Sequence, residues 1–243
     1  MAAPIDPMAI DIVVPAHNEG ESIGPTLRGF HAAVAPHQPI RFIVCEDGSR
    51  DNTVAVLRAL QHDLPLHLIS DPVRKGYTGA MLDGLRATTS PWVALMDADG
   101  CYDPADFLRL LAARQGADMV IGIRTPRADP LFRRVISDAF GFVYRRLFPV
   151  RLADPSCSFL VISRPGLQAI LAGQVGTLRQ GFIWELAARA QAAGLRIAEI
   201  PVAHRERAAG VTQVYRLSKL PGIAAAHLAG LFGLRRELRA PRA

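Results

Sequence analysis

The chain has 243 residues, enough for a single domain with a substantial core, and a composition of 50% hydrophobic and 21% charged residues excludes a disordered chain. Lys and Arg outnumber Asp and Glu by 28 to 22, so the net charge of +6 fits an anionic substrate, an acidic membrane surface or nucleic acid. No basic tract is interleaved with aromatic residues, and we therefore expect no nucleic-acid partner.

The cysteines and the N-terminus indicate the compartment. Cys45, Cys101 and Cys157 are far apart and form no CxxC pair, which argues against a disulfide framework or a zinc site and favours a reducing environment. Residues 1–6 lack the basic and apolar segments of a signal peptide. No apolar run reaches the ~20 residues that span a bilayer. We expect a cytoplasmic protein.

Strand and helix patterns alternate through the first half of the chain. Short apolar runs at residues 10–14, 42–45, 66–69, 92–96 and 119–123 predict five strands. Apolar residues at helical spacing between these runs predict helices, among them residues 76–87 and 104–114. This alternation predicts an α/β fold with a mostly parallel, doubly wound sheet and helices on both faces.

Two aspartates follow the predicted strand at residues 92–96. Residues i and i+2 of an extended chain point the same way, so Asp97 and Asp99 can direct both carboxylates to one place. The carboxyl end of a core strand is where open α/β sheets bind ligands, and Mg²⁺ commonly takes one or two carboxylates plus substrate phosphate oxygens. The alternative is a polar loop after a strand. The motifs GxGxxG, GxxxxGK[ST] and HExxH are absent.

The second half of the chain has a different pattern. A helical stripe over residues 132–147, with arginines beside it, predicts either a core-facing helix or a membrane-surface helix. Residues 158–162 and 197–202 predict strands, and residues 182–193 predict a helix that carries Glu185 among apolar residues. The basic loop at residues 204–212 is a candidate phosphate-binding segment. The apolar tail at residues 221–234 predicts a packed or interfacial helix.

Together these segments resemble the family 2 glycosyltransferases of the GT-A fold, in particular the dolichol-phosphate (polyprenyl-phosphate) mannosyltransferase-like group. The likeness covers about residues 10–215. The motifs that carry it are residues 14–19 (VPAHNE), 46–51 (EDGSRD), 74–76 (RKG), 97–100 (DADG), 122–124 (GIR), Asp154 and residues 207–212 (RAAGVT).

The resemblance implies a role for each matching position. Pro15, His17, Glu19 and Asp47, with Lys75 of the RKG motif, are implied to bind the nucleotide sugar. Asp97 and Asp99 (the DXD motif) are implied to hold Mg²⁺ or Mn²⁺ on the donor diphosphate. The positions implied to bind the phosphates and the acceptor are Arg124, Arg134, Ser137, Arg207 and Thr212.

Several positions depart from the family pattern. The second loop begins with Glu46 where aspartate is usual, and His17 stands where an aromatic residue is common. Cys101 occupies the place of a metal-contacting glutamine, which removes a hard oxygen ligand. Gln213 replaces a frequent lysine. From this sequence we expect none of the transmembrane helices that often follow in this group.

The resemblance implies an inverting, metal-dependent transfer from a GDP- or UDP-linked sugar to a polyprenyl phosphate. One alternative is a soluble glycosyltransferase that acts on a hydroxyl of a small metabolite or glycan. That reaction needs a general base, for which Asp154 and Glu185 are candidates, although Glu185 can equally be a buried structural carboxylate. A second alternative is a non-catalytic nucleotide-sugar binder. We expect a catalytic domain at residues 1–215 and a helical tail at residues 216–243, with peripheral association at the inner membrane face.

Overall fold

The computed structural model describes the backbone of residues 9–125, 131–179, 181–205 and 220–239, and the side chains of these residues except 131–137 and 220–225. The strands are β1 (Ile10–Ala16), β2 (Ile40–Asp47), β3 (Leu66–Asp71), β4 (Trp92–Leu95), β5 (Met119–Arg124), β6 (Leu160–Ser163) and β7 (Ile197–Val202). The helices are α1 (Ile23–Val34), α2 (Thr53–Leu60), α3 (Tyr77–Ala87), α4 (Pro104–Ala112), α5 (Leu131–Leu147), α6 (Arg164–Leu171), α7 (Phe182–Ala192) and α8 (Leu220–Arg239).

The strands form one mixed sheet in the order β3-β2-β1-β4-β6-β5-β7. All neighbouring pairs are parallel except those of β6, which runs antiparallel to both β4 and β5. The α/β class with a mostly parallel sheet is confirmed. The register that pairs Leu95 with Leu160 continues beyond the ladder, so the segment that leads into β6 lies beside the segment that leaves β4. The polypeptide therefore enters β6 at the same edge of the sheet at which it leaves β4.

The central strands are buried on both faces, which explains their nearly continuous apolar sequences. Helix α3 packs directly on β1 and β2. A Cβ atom at Gly84 of α3 would lie 2.4 Å from Cγ1 of Val13, so this close approach requires a glycine. The buried carboxylate of Asp11 on β1 is neutralised by Arg41 of β2 at 2.8 Å and accepts hydrogen bonds from the amides of Thr89 and Ser90.

Helices α5 and α8 cover one side of α7. Tyr144 of α5 is fully buried and donates a hydrogen bond to the carbonyl of Trp184 at 2.8 Å, while Phe142, on another face of the same helix, is 65% exposed. The members of the predicted apolar stripe whose side chains are described, Phe140, Val143 and Leu147, are partly buried and pack against the core. Leu231 and Leu234 of α8 are also fully buried. No helix in the described part of the chain is both long and apolar enough to cross a bilayer.

Candidate active site

Asp97 and Asp99 lie just beyond the carboxyl end of β4, with Ala98 buried between them. The carboxylate of Asp97 accepts two hydrogen bonds from hydroxyl groups: Ser158 donates to Oδ2 at 2.5 Å and Tyr77 donates to Oδ1 at 3.2 Å. Oδ1 of Asp99 accepts from the amide of Cys101 at 3.2 Å. Three segments of the chain thus meet at this pair of carboxylates.

The electrostatics of the pair favour a bound cation. Burial, and after it the charge of Asp99, raises the pKa of Asp97 to about 6, against which the hydrogen bonds from Ser158 and Tyr77 act. Burial and the charge of Asp97 also raise the pKa of the Tyr77 hydroxyl, so this group stays a proton donor. A positive charge placed between the two carboxylates would relieve their mutual repulsion.

The loop after β1 and the loop after β2 are joined by hydrogen bonds. His17 donates from Nδ1 to the carbonyl of Asp47 at 2.7 Å, and the amide of Glu19 donates to the hydroxyl of Thr53 at 2.9 Å. Asn18, in the left-handed region with φ 55°, accepts at Oδ1 from the amide of Arg50. Pro15 is the penultimate residue of β1 and pairs with Cys45. The residues predicted to bind the nucleotide therefore share one edge of the sheet.

Asp47 fixes the segment that precedes α3. Its carboxylate accepts from the amide of Lys75 at 2.5 Å and from that of Gly76 at 2.8 Å. Gly76 has φ 82° and ψ 168°, a conformation that other residues rarely adopt. The Nζ atom of Lys75 lies between the carboxylates of Asp71 and Asp83, at 2.7 and 2.6 Å. The predicted nucleotide contacts Asp47 and Lys75 are thus adjacent, and both are already engaged within the protein.

Arg124 and Asp154 form a bidentate pair that the sequence analysis did not predict. Nε and Nη2 of Arg124 donate to the two carboxylate oxygens of Asp154 at 2.7 and 2.8 Å, and Nη2 also donates to Ser156 at 2.5 Å. Only 11% of the Arg124 side chain and 7% of the Asp154 side chain are exposed. The arrangement orients the arginine and occupies both oxygens of the predicted base.

Glu185 belongs to a separate buried network. It is fully buried, its oxygens accept from the amides of Gly176 and Leu178 at 3.0 and 2.7 Å, and Nε of Arg189 donates to it at 2.8 Å. Thr78 then binds the carbonyl of Leu178 at 2.9 Å. These contacts match the structural interpretation of Glu185, because the carboxylate holds the segment before α7 through its backbone amides.

The side chains of the other predicted phosphate and acceptor residues lie outside the described part of the chain. Arg134 and Ser137 lie on α5 at positions whose side chains are outside the described set, and Arg207 and Thr212 lie outside the described residues. The described chain after β7 ends at Arg205, whose amide donates to the carbonyl of Cys101 at 2.8 Å. His204 pairs with Tyr102 in an isolated antiparallel bridge. The segment after β7 therefore starts beside the Asp97–Asp99 loop.

Sequence reasoning did not identify Tyr77, Ser158 or Tyr102 as site residues. The hydroxyl of Tyr102 lies 3.1 Å from that of Ser158, and its ring stacks on Phe159 with centroids 4.6 Å apart. Ser158 reaches Asp97 because β6 runs antiparallel to β4, and an apolar run in the sequence does not reveal the direction of a strand. Tyr77 directly follows the RKG motif, and this position was the one available signal.

The side chains present fit a hard divalent cation such as Mg²⁺ or Mn²⁺. Asp97 and Asp99 supply oxygen donors from two carboxylates, and a cation between them would offset the charge that raises the pKa of Asp97. Among the residues that the structure describes, no group of three or more His, Cys, Asp or Glu side chains is arranged so that it could hold a metal ion. The remaining ligands are expected to come from substrate phosphate and water, as is usual for Mg²⁺ sites.

Comparison with known proteins gives consistent results. The sequence matches the profile "Glycosyl transferase family 2" over residues 11–171. An uncharacterized glycosyltransferase of Mycobacterium tuberculosis is 33% identical over 85% of this chain and 89% of its own length. Dodecaprenyl-phosphate galacturonate synthase of Rhizobium johnstonii is 29% identical over 97% of this chain and 70% of its own. Undecaprenyl-phosphate 4-deoxy-4-formamido-L-arabinose transferase of Yersinia enterocolitica is 30% identical, over 87% of this chain and 64% of its own.

The fold is shared with solved glycosyltransferases. A mannosyltransferase from Pyrobaculum calidifontis, in complex with GDP-Man and Mn²⁺, superimposes with a TM-score of 0.66 at 21% identity, covering 96% of this chain and 65% of that one. Glucosyl-3-phosphoglycerate synthase from Mycobacterium tuberculosis, in complex with Mn²⁺, UDP-Glc and phosphoglyceric acid, gives 0.65 at 20% identity, covering 94% and 80%. With its GT-A architecture, its match over residues 11–171 and its polyprenyl-phosphate sugar transferase relatives, the chain belongs to the family 2 glycosyltransferases.

Proposed function

We propose that this protein is an inverting, metal-dependent glycosyltransferase that moves a sugar from a GDP- or UDP-linked donor to a polyprenyl phosphate. The observation that carries the choice of acceptor is the state of the two candidate bases. Both oxygens of Asp154 accept from Arg124, and both oxygens of Glu185 accept from backbone amides, with Arg189 as a further donor. A phosphate monoester is an anion at neutral pH and needs no strong base, whereas a hydroxyl acceptor does.

The transfer is a single in-line displacement. An oxygen of the acceptor phosphate attacks the anomeric carbon, the bond from that carbon to the nucleoside diphosphate breaks, and the diphosphate leaves with the electron pair. Asp97 and Asp99 would hold a Mg²⁺ or Mn²⁺ ion, which supplies charge stabilisation to the leaving diphosphate. Ser158 and Tyr77 keep the Asp97 carboxylate oriented and ionised.

The neighbouring loops are proposed to bind the rest of the donor. The edge formed by His17, Glu19 and Asp47 adjoins the segment that carries Lys75 and Tyr77, so base and ribose would lie beside the two aspartates. Arg134, Ser137, Arg207 and Thr212 remain proposed acceptor contacts, with Arg124 and Arg207 at the phosphates. We also propose a catalytic domain at residues 1–215 and a tail at residues 216–243. The tail includes α8, which we propose lies at the membrane surface on the cytoplasmic side.

The test is sugar transfer from a panel of labelled nucleotide sugars to a polyprenyl phosphate in detergent micelles, followed by organic extraction. We expect label in the organic phase that requires Mg²⁺ or Mn²⁺ and is lost in Asp99→Ala, with Asp63→Ala as a surface control. Metal-dependent donor hydrolysis without lipid labelling would contradict the lipid acceptor. It would favour the hydroxyl acceptor, for which the phosphoglyceric acid bound in the fold relative is a class to try first.

A further inference from the structure

Helix α8 is held to the protein by one face. Leu231 and Leu234 are fully buried, and the carboxylate of Glu237 accepts from both terminal nitrogens of Arg189 at 2.9 Å. Glu237 also accepts from the hydroxyl of Thr177 at 3.4 Å. These contacts repeat every three residues along the last two turns, so the rotation of the helix about its axis is fixed and the opposite face is directed outward.

The outward face of α8 combines apolar and basic side chains. Leu228 is 39% exposed and Phe232, one turn later, is 57% exposed. The last two turns carry arginines, and Phe232 with Arg235, Arg236 and Arg239 lines a shallow groove of about 460 Å³. Positions 228, 232, 236 and 239 fall on one side of a helix. We call this surface the α8 outer face: Leu228, Phe232, Arg235, Arg236 and Arg239.

The arginines of the α8 outer face are not neutralised within the described part of the chain. Arg28, Arg109 and Arg205, in other surface regions, each pair with an aspartate. None of the three arginines on the outer face forms an ion pair with a described residue, and the buried Nε atom of Arg235 donates to no described acceptor. Basic residues at a helix C-terminus also stabilise the helix dipole, but this does not account for exposed Phe232 beside them.

We propose that the α8 outer face binds the phosphate head groups of an anionic phospholipid bilayer. Phe232 and Leu228 enter the boundary between head groups and acyl chains, and the arginines bind lipid phosphates, for which the guanidinium fork is well suited. The unneutralised positive charge favours a negatively charged lipid surface over an uncharged protein partner. This proposal rests on the proposed function, because a polyprenyl phosphate acceptor lies in the same leaflet.

The α8 outer face is connected to the candidate active site through the opposite side of the same helix. Glu237 binds Arg189, Arg189 binds Glu185, and Glu185 binds the amide of Leu178. The carbonyl of Leu178 accepts from Thr78, the residue after the Tyr77 that contacts Asp97. A bilayer that binds α8 is therefore linked, through ion pairs and side-chain-to-backbone hydrogen bonds, to the segment that bounds the site.

The experiment is flotation of the full-length protein with vesicles of phosphatidylcholine alone or with added phosphatidylglycerol. We expect binding only to the anionic vesicles, weakened by salt. The double variant Arg236→Glu/Arg239→Glu should reduce partition at least about tenfold, because each basic residue near an anionic surface contributes several-fold. The matched control is Arg28→Glu/Arg58→Glu, which changes the net charge equally on the exposed surface of α1 and α2 and should stay within about twofold.

Phe232→Ser tests the apolar part and should weaken partition without changing the net charge. Equal loss in the α1/α2 control variant would overturn the proposal in favour of general charge attraction. A protein dimer in solution that Phe232→Ser dissociates, without vesicle binding, would assign the face to a second copy. Transfer to polyprenyl phosphate in detergent should survive Arg236→Glu/Arg239→Glu. Vesicle binding without any transfer would overturn the proposed function alone, and transfer without vesicle binding would overturn the docking surface alone.

Discussion

Ser158 and Asp97 lie opposite each other at the point where β6 begins and β4 has just ended, and the serine hydroxyl donates to Oδ2 of the aspartate at 2.5 Å. The antiparallel register of these two strands creates the contact. The hydrogen bond favours the ionised carboxylate, and it opposes the effects of burial and of the charge of Asp99 on the same group. The antiparallel strand thus supplies a hydrogen bond to Asp97, the proposed metal ligand. A wholly parallel sheet would not supply this hydrogen bond.

Ser158→Ala should weaken metal-dependent donor binding. Without the serine hydroxyl the pKa of Asp97 rises above about 6, so a larger fraction is protonated near neutral pH. Because a hydrogen bond to a charged group contributes about 1.5–3 kcal/mol, we expect Mn²⁺ affinity to be weaker by roughly tenfold or more at pH 6.5, with a smaller loss at pH 8. Calorimetric titration with Mn²⁺ and nucleoside diphosphate measures the affinity at both pH values. Ser156→Ala, which removes a hydroxyl that contacts Arg124, is the control, and an equal loss there would contradict the assignment.

Asp97→Asn should stabilise the metal-free protein while abolishing metal-dependent transfer. The folded pKa of about 6 lies above the usual value, so the ionised carboxylate lowers the stability of the fold at pH 7. Each pKa unit corresponds to about 1.4 kcal/mol, and because Asp97 is partly exposed we expect a gain of about 1–2 kcal/mol, or about 2–8 °C in Tm.

The pH dependence of the stability gain tests whether the gain comes from removal of the ionised Asp97 carboxylate. The advantage of the asparagine should be complete above about pH 6 and should disappear as the pH falls toward 4, where the wild-type carboxyl is protonated in both folded and unfolded states. Thermal unfolding in the presence of chelator, from pH 4 to pH 8, measures the difference. A gain that persists unchanged at pH 4 would show that it has another origin.

The sequence predicts the first five strands because each contains a short, mainly apolar run, a pattern that depends on local composition alone. The two aspartates at the end of β4 are also predicted from a local feature, their i and i+2 spacing. Helix α6 was not predicted, although Ser163 caps it by accepting from the amide of Gly166 and Pro165 occupies its first turn. Its eight residues are too few to show a clear helical repeat.

What sequence reasoning could not give is the pairing of residues that are distant in the chain. The direction of β6 decides that Ser158 contacts Asp97, and nothing in the three apolar residues and one serine of this strand specifies a direction. In the same way, Arg124 and Asp154 are separated by 30 positions and each carries an independent role in the resemblance, whereas the structure joins them. Charges that meet only in the folded protein leave no local pattern.

Asp154→Asn should destabilise the protein more than it slows transfer. Loss of one partner from a buried pair leaves the Arg124 guanidinium without its counter-charge, which costs about 3 kcal/mol or more. Because both oxygens of Asp154 are held by Arg124, we expect kcat to remain within about tenfold of wild type when the folded variant is assayed well below its Tm, compared with the 10²–10⁴-fold contribution of a general base. Chemical denaturation and label transfer give the two quantities.

The double variant Arg124→Met/Asp154→Leu is the control for that prediction. It removes both charges, so it should recover part of the lost stability, as buried pairs replaced by apolar residues commonly do. A folded Asp154→Asn protein that loses more than about a thousandfold in kcat would instead identify Asp154 as the base and favour a hydroxyl acceptor.

Glu185→Gln should separate a structural carboxylate from a catalytic one. Glutamine has the same shape but supplies one acceptor oxygen in place of two and no negative charge, so the fully buried network loses the pairing with Arg189 and one of the backbone hydrogen bonds. We expect a loss of about 2–4 kcal/mol in the free energy of unfolding. Transfer by the folded variant at low temperature should fall only a few-fold, and its pH profile should keep the wild-type shape. Glu237→Gln, at the partly exposed end of the same Arg189 contacts, should cost clearly less stability, because water can solvate the guanidinium on that side. A pH profile that loses its acidic limb in Glu185→Gln would make Glu185 a proton acceptor, and the segment before α7 would then belong to the reacting centre.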